Sequence, residues 1–451
     1  MRSNFKFIHM ADLHLGSILH IGKKVNNTLA ELFNNAVFNA FKKLCDTAIR
    51  EEVNFILISG DIYDREARSV KGNNFFIEQC RRLHEAGIMV YTIGGNHDPI
   101  KQKNELFNLP SNVYILSSEE VEVKEVKDVT GSVYARVIGQ SYKESWDSRK
   151  MYESYAFLKK EVFNIALLHT QLDNNNNYVP CSAADLKKLD NIDYWALGHI
   201  HKFRIINKSN PFIAYPGIPQ GRDSGEEGVG GGLLVEVEDN KLSSIKFIPV
   251  SEVIWEKLDI NVSDNEYSEL KNISDLENII ILKAEELLSS KEVLPEGIQS
   301  FYEDYSELIK GYIVQWSIKG RGNLYDLVNE RTAEVSDYLI ESLNNKFING
   351  HKFLYTDFID VNVGRPIENL EGLKKQNSTL KEISKVTQLL MKDETMKAEL
   401  IKRLGSIWEV TDSYEDINSK KLQLDHELLE TILIQAEQLA MDAILERGEE
   451  L

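Results

Sequence analysis

The sequence predicts an α/β fold. Three observations carry that expectation: strand-like and helix-like segments alternate through the first half of the chain, ligand-bearing polar blocks follow the apolar runs, and the texture changes near Trp255 and again after Arg365-Pro366. Phe5 to Met10 alternates as a strand. Leu29 to Glu52 sets Ala36, Val37, Ala40, Phe41, Leu44 and Ala48 at helical spacing, and Phe55 to Ser59 is a buried-strand run. Val70 to Ala86, with Phe75, Phe76, Cys80 and Leu83 facing one way, reads as a second helix that stops at Gly87, a good terminator. Met89 to Ile93 is the next strand. Apolar runs at Phe163 to Leu168, Tyr194 to Leu197, Phe212 to Tyr215 and Gly232 to Val237 carry the pattern into a strand-rich region.

Past Trp255, helical patterns at Asp275 to Ser290 and Thr332 to Phe347 interleave with strands at Tyr312 to Ile318 and Lys352 to Val363, which reads as a small α+β domain. After Pro366 there is no further proline, and long helical periodicity sets in. Leu428, Ile432, Ala436 and Leu439 run beside Leu429, Leu433, Ala440 and Ile444. The expected division is 1–255, 256–366 and 367–451, the last a helical region. Its apolar stripes fit packing within the chain, and an amphipathic helix equally docks on a partner.

With 451 residues, 42% hydrophobic and 27% charged, the chain fits neither a disordered nor a membrane protein, and no apolar run is long enough to span a bilayer. The first residues lack an apolar stretch ahead of a small-residue cleavage site, so a cytoplasmic location is expected. Cys45, Cys80 and Cys181 are widely spaced and form no C-x-x-C pair, which predicts reduced structural thiols. A net charge of −19 repels a polyanion at long range, so any contact with DNA has to be local or shared with a basic partner.

Five blocks place metal-ligand side chains directly after an apolar strand: Asp12-Leu13-His14, Gly60-Asp61-Ile62-Tyr63-Asp64, Gly95-Asn96-His97-Asp98, His169, and Gly198-His199-Ile200-His201. Strand ends in an open α/β sheet share one edge, where such blocks converge. In extended backbone, residues two apart point to the same side, so Asp12 with His14, and His199 with His201, are placed to chelate together. The glycines before Asp61, Asn96 and His199 allow sharp turns. Mixed imidazole and carboxylate donors suit manganese, iron or zinc better than calcium. A single such block is as readily a turn or a helix cap as a ligand set; the ordered five are not. Arg222, Lys202, Arg204, Arg68 and Lys101 lie near these blocks in sequence as candidate phosphate contacts, though isolated basic residues are more often ordinary surface. His9 reads as a packed strand residue.

The ordered set D-x-H, GD-x-x-D, GNHD, H and GHIH resembles the calcineurin-like metallophosphoesterase superfamily. His9-Met10-Ala11-Asp12-Leu13-His14-Leu15-Gly16, Tyr178-Val179-Pro180-Cys181-Ser182 and Tyr215-Pro216-Gly217-Ile218-Pro219-Gln220-Gly221-Arg222 resemble, within it, DNA-repair exonucleases of the SbcD and YhaO type. The resemblance implies a metallophosphoesterase β-sandwich flanked by helices, an α+β cap that selects DNA, and a helical C-terminal region that binds an SMC-like ATPase of the SbcC or YhaN type. It is compatible with a homodimer and implies no membrane. It implies two divalent ions, expected to be Mn²⁺, one held by Asp12, His14, Asp61 and His201 and the other by Asp61, Asn96, His169 and His199, so that Asp61 bridges. His97 resembles the family histidine that stabilises or protonates the departing oxygen. The family's other position, three residues after the bridging aspartate, is Asp64 here, which either orients His97 or caps the following helix. Two rival readings stand beside the nuclease: a phosphatase or cyclic-nucleotide phosphodiesterase on the same metals, disfavoured by the long extension past the core, and a catalytically silent DNA-binding scaffold, disfavoured by the complete ligand set.

Overall fold

The computed structural model describes residues 4–23, 25–64, 69–100, 108–157, 159–172, 177–264, 267, 270–290, 294, 297–367, 372, 377–404, 408–410, 422–424 and 426–449. The chain divides into two compact units, one of residues 1–256, 288–313 and 349–355, the other of residues 257–287, 314–348 and 356–451. In chain order the elements begin with β1 (Phe5–Met10), α1 (Asn27–Arg50), β2 (Phe55–Ser59), α2 (Val70–Glu85), β3 (Met89–Ile93), β4 (Val113–Ile115), β5 (Glu122–Lys127) and β6 (Val133–Gly139). Next come β7 (Phe163–His169), α3 (Ala183–Lys187), β8 (Tyr194–Gly198), β9 (Arg204–Asn207), β10 (Phe212–Tyr215), β11 (Gly231–Glu238) and β12 (Lys241–Pro249). The remainder is β13 (Val253–Asn261), α4 (Ile273–Ser289), β14 (Gln299–Ser300), β15 (Gly311–Arg321), α5 (Tyr325–Val328), α6 (Thr332–Phe347), β16 (Phe353–Gly364), α7 (Ser378–Lys392), α8 (Glu394–Leu404), β17 (Trp408–Val410), β18 (Leu422–Leu424) and α9 (His426–Glu449).

The first unit is a mixed α/β sandwich. One sheet has the order β14-β12-β11-β1-β2-β3-β4, the other β5-β6-β7-β8-β10-β9. Their facing sides meet in a core built from Phe7, Phe55, Leu57, Tyr91, Ile93, Val137, Ile165, Leu167, Tyr194 and Ala196. The alternate residues of the same strands point outward and are also covered: Ile8, Ile56, Ile58 and Val90 pack under α1 and α2 through Val37, Phe41, Leu44, Phe76, Cys80 and Leu83. On the far side Ala166, Leu168, Trp195 and Leu197 pack with Tyr152, Tyr155 and Leu186. Strands covered on both faces have no polar alternation, which is why they appear in the sequence as solid apolar runs. Helix α1 starts two residues before the expected Leu29, because the side chain of Asn26 accepts from Leu29 N at 2.9 Å and caps it. Cys45, Cys80 and Cys181 are all buried and free, and burial raises the pKa of each thiol.

In the second unit, α4 buries Leu276, Ile280 and Ala284, and α6 buries Val335, Leu339, Ile340, Leu343 and Phe347, both at helical spacing. β13, β15 and β16 form a three-stranded sheet. In the C-terminal region Leu429 and Leu433 of α9 pack with Ile401 of α8 and with Leu390 and Met391 of α7. That region is not helical throughout, since β17 and β18 pair in parallel between α8 and α9. Among the described residues no helix is long and apolar enough to cross a membrane.

Candidate metal centre

β1, β2 and β3 are adjacent and parallel, with Met10 opposite Ile58 and Ser59 opposite Ile93. β7 and β8 are likewise adjacent and parallel, with His169 opposite Gly198. This register delivers Asp12, Asp61, Asn96, His169 and His199 to one edge of the sandwich, each within three residues of its strand's end. The backbone then turns at the ligand-type residues themselves: Asp12, His14, Asp61 and His199 have φ of 53°, 44°, 53° and 97°. Such conformations cost non-glycine residues on the order of 1 kcal/mol or more each and persist where the surroundings enforce them. Only Gly60 among the three preceding glycines shares that conformation, at φ 94°. Gly95 supplies room instead, because a Cβ there would lie 2.2 Å from Asp61 Oδ1.

Donor atoms of Asp12, His14 and His201 lie within 4.8 Å of one another, as do those of Asp12, Asp61 and His169, and those of His14, Asp64 and His97. Asp61 spans the first two groups: its Oδ2 is 4.0 Å from His14 Nε2 and 3.3 Å from His169 Nε2. His169 Nε2 and His199 Nδ1 approach Asn96 Oδ1 at 2.8 and 3.1 Å, and His14 Nε2 faces His201 Nε2 at 3.2 Å. Asp12 also accepts from His199 N at 3.0 Å. Among the described residues, Asp61 Oδ2 is buried with no hydrogen-bond partner and an ion pair to His169 at 3.3 Å, and it lies beside the Nε2 atoms of His14 and His169. A buried carboxylate oxygen without a hydrogen-bond donor, set among imidazole nitrogens, is costly in a folded protein, and divalent cations are what such donors accommodate. The donor set therefore fits a pair of divalent metal ions.

Charge within the cluster is tightly shared. Burial works to lower the pKa of His169, but the Asp61 carboxylate, with Asp12 and the Ser59 carbonyl, outweighs it and raises that imidazole to about 9. Burial works to raise Asp61, and His169, His97 and His14 together hold it far below the usual carboxylate range. His14 is driven well below the ordinary histidine value by burial, then by the positive charge of Arg222 and His201.

A ring of further polar residues fixes these side chains. Asp98 accepts from the backbone of Asp61, Ile62, Tyr63 and Gly95 at 3.2, 2.7, 3.3 and 2.8 Å and so clamps the turn carrying Asp61; burial and the Asp61 carboxylate push it up to about 7 against those donors. Asp61 Oδ1 accepts from His97 N at 2.9 Å. Asp64 accepts from Ser17 Oγ at 2.7 Å and lies 3.2 Å from His97 Nδ1, while α2 is capped by Ser69. Of the two tasks open to Asp64 in the sequence, its contacts are those of a residue that orients His97. Glu226 accepts from His201 Nδ1 at 2.6 Å, His169 Nδ1 donates to Ser59 O at 2.9 Å, and Tyr178 stacks on His199 with centroids 5.0 Å apart.

All nine residues singled out in the sequence, Asp12, His14, Asp61, Asp64, Asn96, His97, His169, His199 and His201, thus stand in one connected cluster. One expectation about their grouping fails. His199 and His201 do not share a donor group: the first faces Asn96 and the second His14, the division between two ions that the resemblance implies. Arg222 is buried in ion pairs with Glu226 and Asp64 at 2.7 and 3.5 Å, not presented to solvent. Lys202 and Arg204 are exposed, and Arg68 and Lys101 lie outside the described residues. Asp98 and Glu226 were missed. Asp98 had a signal, as the last residue of the Gly95-Asn96-His97-Asp98 block; Glu226 had none, since it sits in a glycine-rich loop with no periodicity.

Residues 5–203 match the calcineurin-like phosphoesterase family. The metallophosphoesterase YhaO of Bacillus subtilis is 34% identical over 267 residues, covering 58% of this chain and 65% of that protein, so the match spans just under two thirds of the relative's length. The DNA double-strand break repair protein Mre11 of Methanocaldococcus jannaschii is 26% identical over 355 residues, covering 75% of this chain and 87% of that one. A dimetal phosphatase from Danio rerio aligns at 12% identity and a TM-score of 0.37 over 54% of this chain and 95% of its own, too slight a likeness to bear on the fold. Strand register, converging ligand-type residues and family match agree, and the chain carries a calcineurin-like metallophosphoesterase domain with relatives of the YhaO and Mre11 kind.

Proposed function

We propose that the protein is a metal-dependent DNA exonuclease of DNA repair or end processing. The observation that carries the metal-dependent reading is the buried Asp61 Oδ2, without a hydrogen-bond partner among the described residues, set between the Asp12–His14–His201 group and the Asn96–His169–His199 group. In this reading Asp61 is shared by two cations, expected to be Mn²⁺. When bound, such a pair neutralises the non-bridging phosphoryl oxygens and acidifies a water for in-line attack. Glu226 and the Ser59 carbonyl hold the Nδ1 protons of His201 and His169, leaving each Nε2 to face the cluster. His97 holds the proton that goes to the departing oxygen, and the Asp64 carboxylate stabilises its charged form. DNA as substrate is supported by Mre11 relatives whose names state double-strand break repair. The same reading gives residues 256–366 to DNA selection and 367–451 to docking of an SMC-like ATPase of the SbcC or YhaN type.

The test is hydrolysis by the purified protein, with Mn²⁺ or Mg²⁺, of end-labelled single- and double-stranded DNA, of a generic phosphodiester dye and of a cyclic nucleotide. Release of nucleotides from DNA ends is expected, lost in Asp61→Asn together with bound metal. His97→Ala should keep two metals while turnover falls about 100-fold or more. Fast hydrolysis of the cyclic nucleotide with none of DNA would instead establish a small-substrate enzyme.

A further inference from the structure

Arg222 stands at the end of the Tyr215-to-Arg222 motif, and its surroundings leave its guanidinium little to offer a phosphate. It is 7% exposed, with Nε 3.3 Å and Nη2 2.7 Å from Glu226 Oε1, while its own backbone N donates to Glu226 Oε2 at 2.6 Å. Its Nη1 reaches Asp64 Oδ2 at 3.5 Å, and its carbonyl accepts from His20 N at 2.7 Å, which pins the loop. Glu226 in turn accepts from His201 Nδ1 at 2.6 Å, and Asp64 lies 3.2 Å from His97 Nδ1. A continuous line of contacts therefore runs His201–Glu226–Arg222–Asp64–His97. It joins a residue of the metal group to the residue given the leaving-group proton.

Both histidines are gripped at Nδ1 by a carboxylate, an arrangement that fixes ring plane and tautomer. Without the arginine, the Glu226 and Asp64 carboxylates would lose a cation that contacts both, leaving, among the described side chains, His201 on Glu226 and Ser17 and His97 on Asp64. A lysine is a point charge and cannot hold one carboxylate through Nε and Nη2 while reaching a second through Nη1. On the two-metal reading above, we infer that Arg222 and Glu226 are positioning residues that orient His201 and His97 together, coupling occupancy of one metal site to the readiness of the proton donor.

The experiment measures Mn²⁺ binding to the metal-free full-length protein by calorimetry, with the number of bound ions counted by electron paramagnetic resonance, beside kcat and KM on a phosphodiester dye at saturating Mn²⁺. Glu226→Gln is expected to weaken one of the two Mn²⁺ steps about 10- to 100-fold and leave the other alone. Arg222→Lys should weaken the same step and lower kcat at saturating Mn²⁺ with KM little changed. Should Glu226→Gln fail to fold, the double variant Arg222→Gln with Glu226→Gln removes both buried charges at once and is expected to show the same weak step. Two wild-type Mn²⁺ steps in Glu226→Gln or the double variant would overturn the inference, as would an Arg222→Lys enzyme changed only in KM. Fewer than two ions on the wild-type protein would sink the two-metal reading, and the coupling with it.

Discussion

His9 and His14 lie on the same stretch of chain, both fully buried, and do opposite work. His14 presents its Nε2 to a ligand cluster, whereas His9 spends both of its ring nitrogens on the scaffold behind it: Tyr194 OH at 3.0 Å on one side, Leu197 O at 3.1 Å and Ser59 Oγ at 3.3 Å on the other. Burial lowers the His9 pKa to about 3, with only the Leu197 carbonyl opposing. The unfolded chain takes up this proton near pH 6.5 and the folded one does not, so between those values the unfolded state binds more protons and stability falls as pH falls. Urea midpoints from pH 7 to 4 should drop for the wild type, and His9→Gln, although less stable at pH 7, should lose part of that slope; an unchanged slope would assign acid sensitivity to other groups. The packed role of His9 was legible from its place in a strand, as were the nine cluster residues from their places after strands. Glu226 was not, because what makes it matter is a loop path that brings it against a histidine 25 positions away in sequence.

At the level of elements, legibility followed burial. Strands β1, β2, β3 and β10 were read to the residue, since solid apolar runs between turn residues leave little choice of ends. The hairpin β5–β6 was missed: β5 reads Glu122-Val123-Lys124-Glu125-Val126-Lys127, an edge strand whose alternating charges keep other chains from pairing with it and at the same time hide it among polar loops. The strands β17 and β18 were missed for their shortness inside a helical region. The apolar residues of α9 divide by surroundings, though not along the two stripes, since Ile432 of the first stripe packs with Leu429 and Leu433 of the second. Leu429 and Leu433 are 2% and 7% exposed and pack with α7 and α8, while Ile434 and Leu439 are 49% and 71% exposed, as are Val386 and Leu389 of α7 at 40% and 43%. Truncating a buried leucine such as Leu429→Ala costs about 2–5 kcal/mol and should lower the melting temperature of the protein. Ile434→Asp with Leu439→Asp should leave it unchanged and abolish capture of a purified SbcC- or YhaN-type ATPase; retention of capture would move the proposed docking surface elsewhere.

For the whole molecule the governing quantity is charge. The chain carries 71 acidic against 52 basic residues, a net −19, so its average field opposes approach to DNA. On the proposed nuclease reading, affinity has to come from a few contacts at the edge that carries the cluster, where bound cations would invert the local sign. Each duplex phosphate neutralised contributes about 0.9 to the slope of log affinity against log salt. A protein that coats DNA with many lysines and arginines shows slopes on the order of ten, whereas a handful of contacts predicts roughly two to five. The measurement is a salt titration of binding to a fluorescent duplex end, with Ca²⁺ in place of Mn²⁺ to slow cleavage. A slope of two to five for the protein alone, steepening when the ATPase is added, is the expected result, because the partner brings phosphate contacts of its own. A slope near ten without the partner would mean that a basic surface outside the metal cluster dominates. No binding at low salt, alongside turnover of small phosphodiesters, would remove DNA from the proposed function and leave the metal chemistry standing.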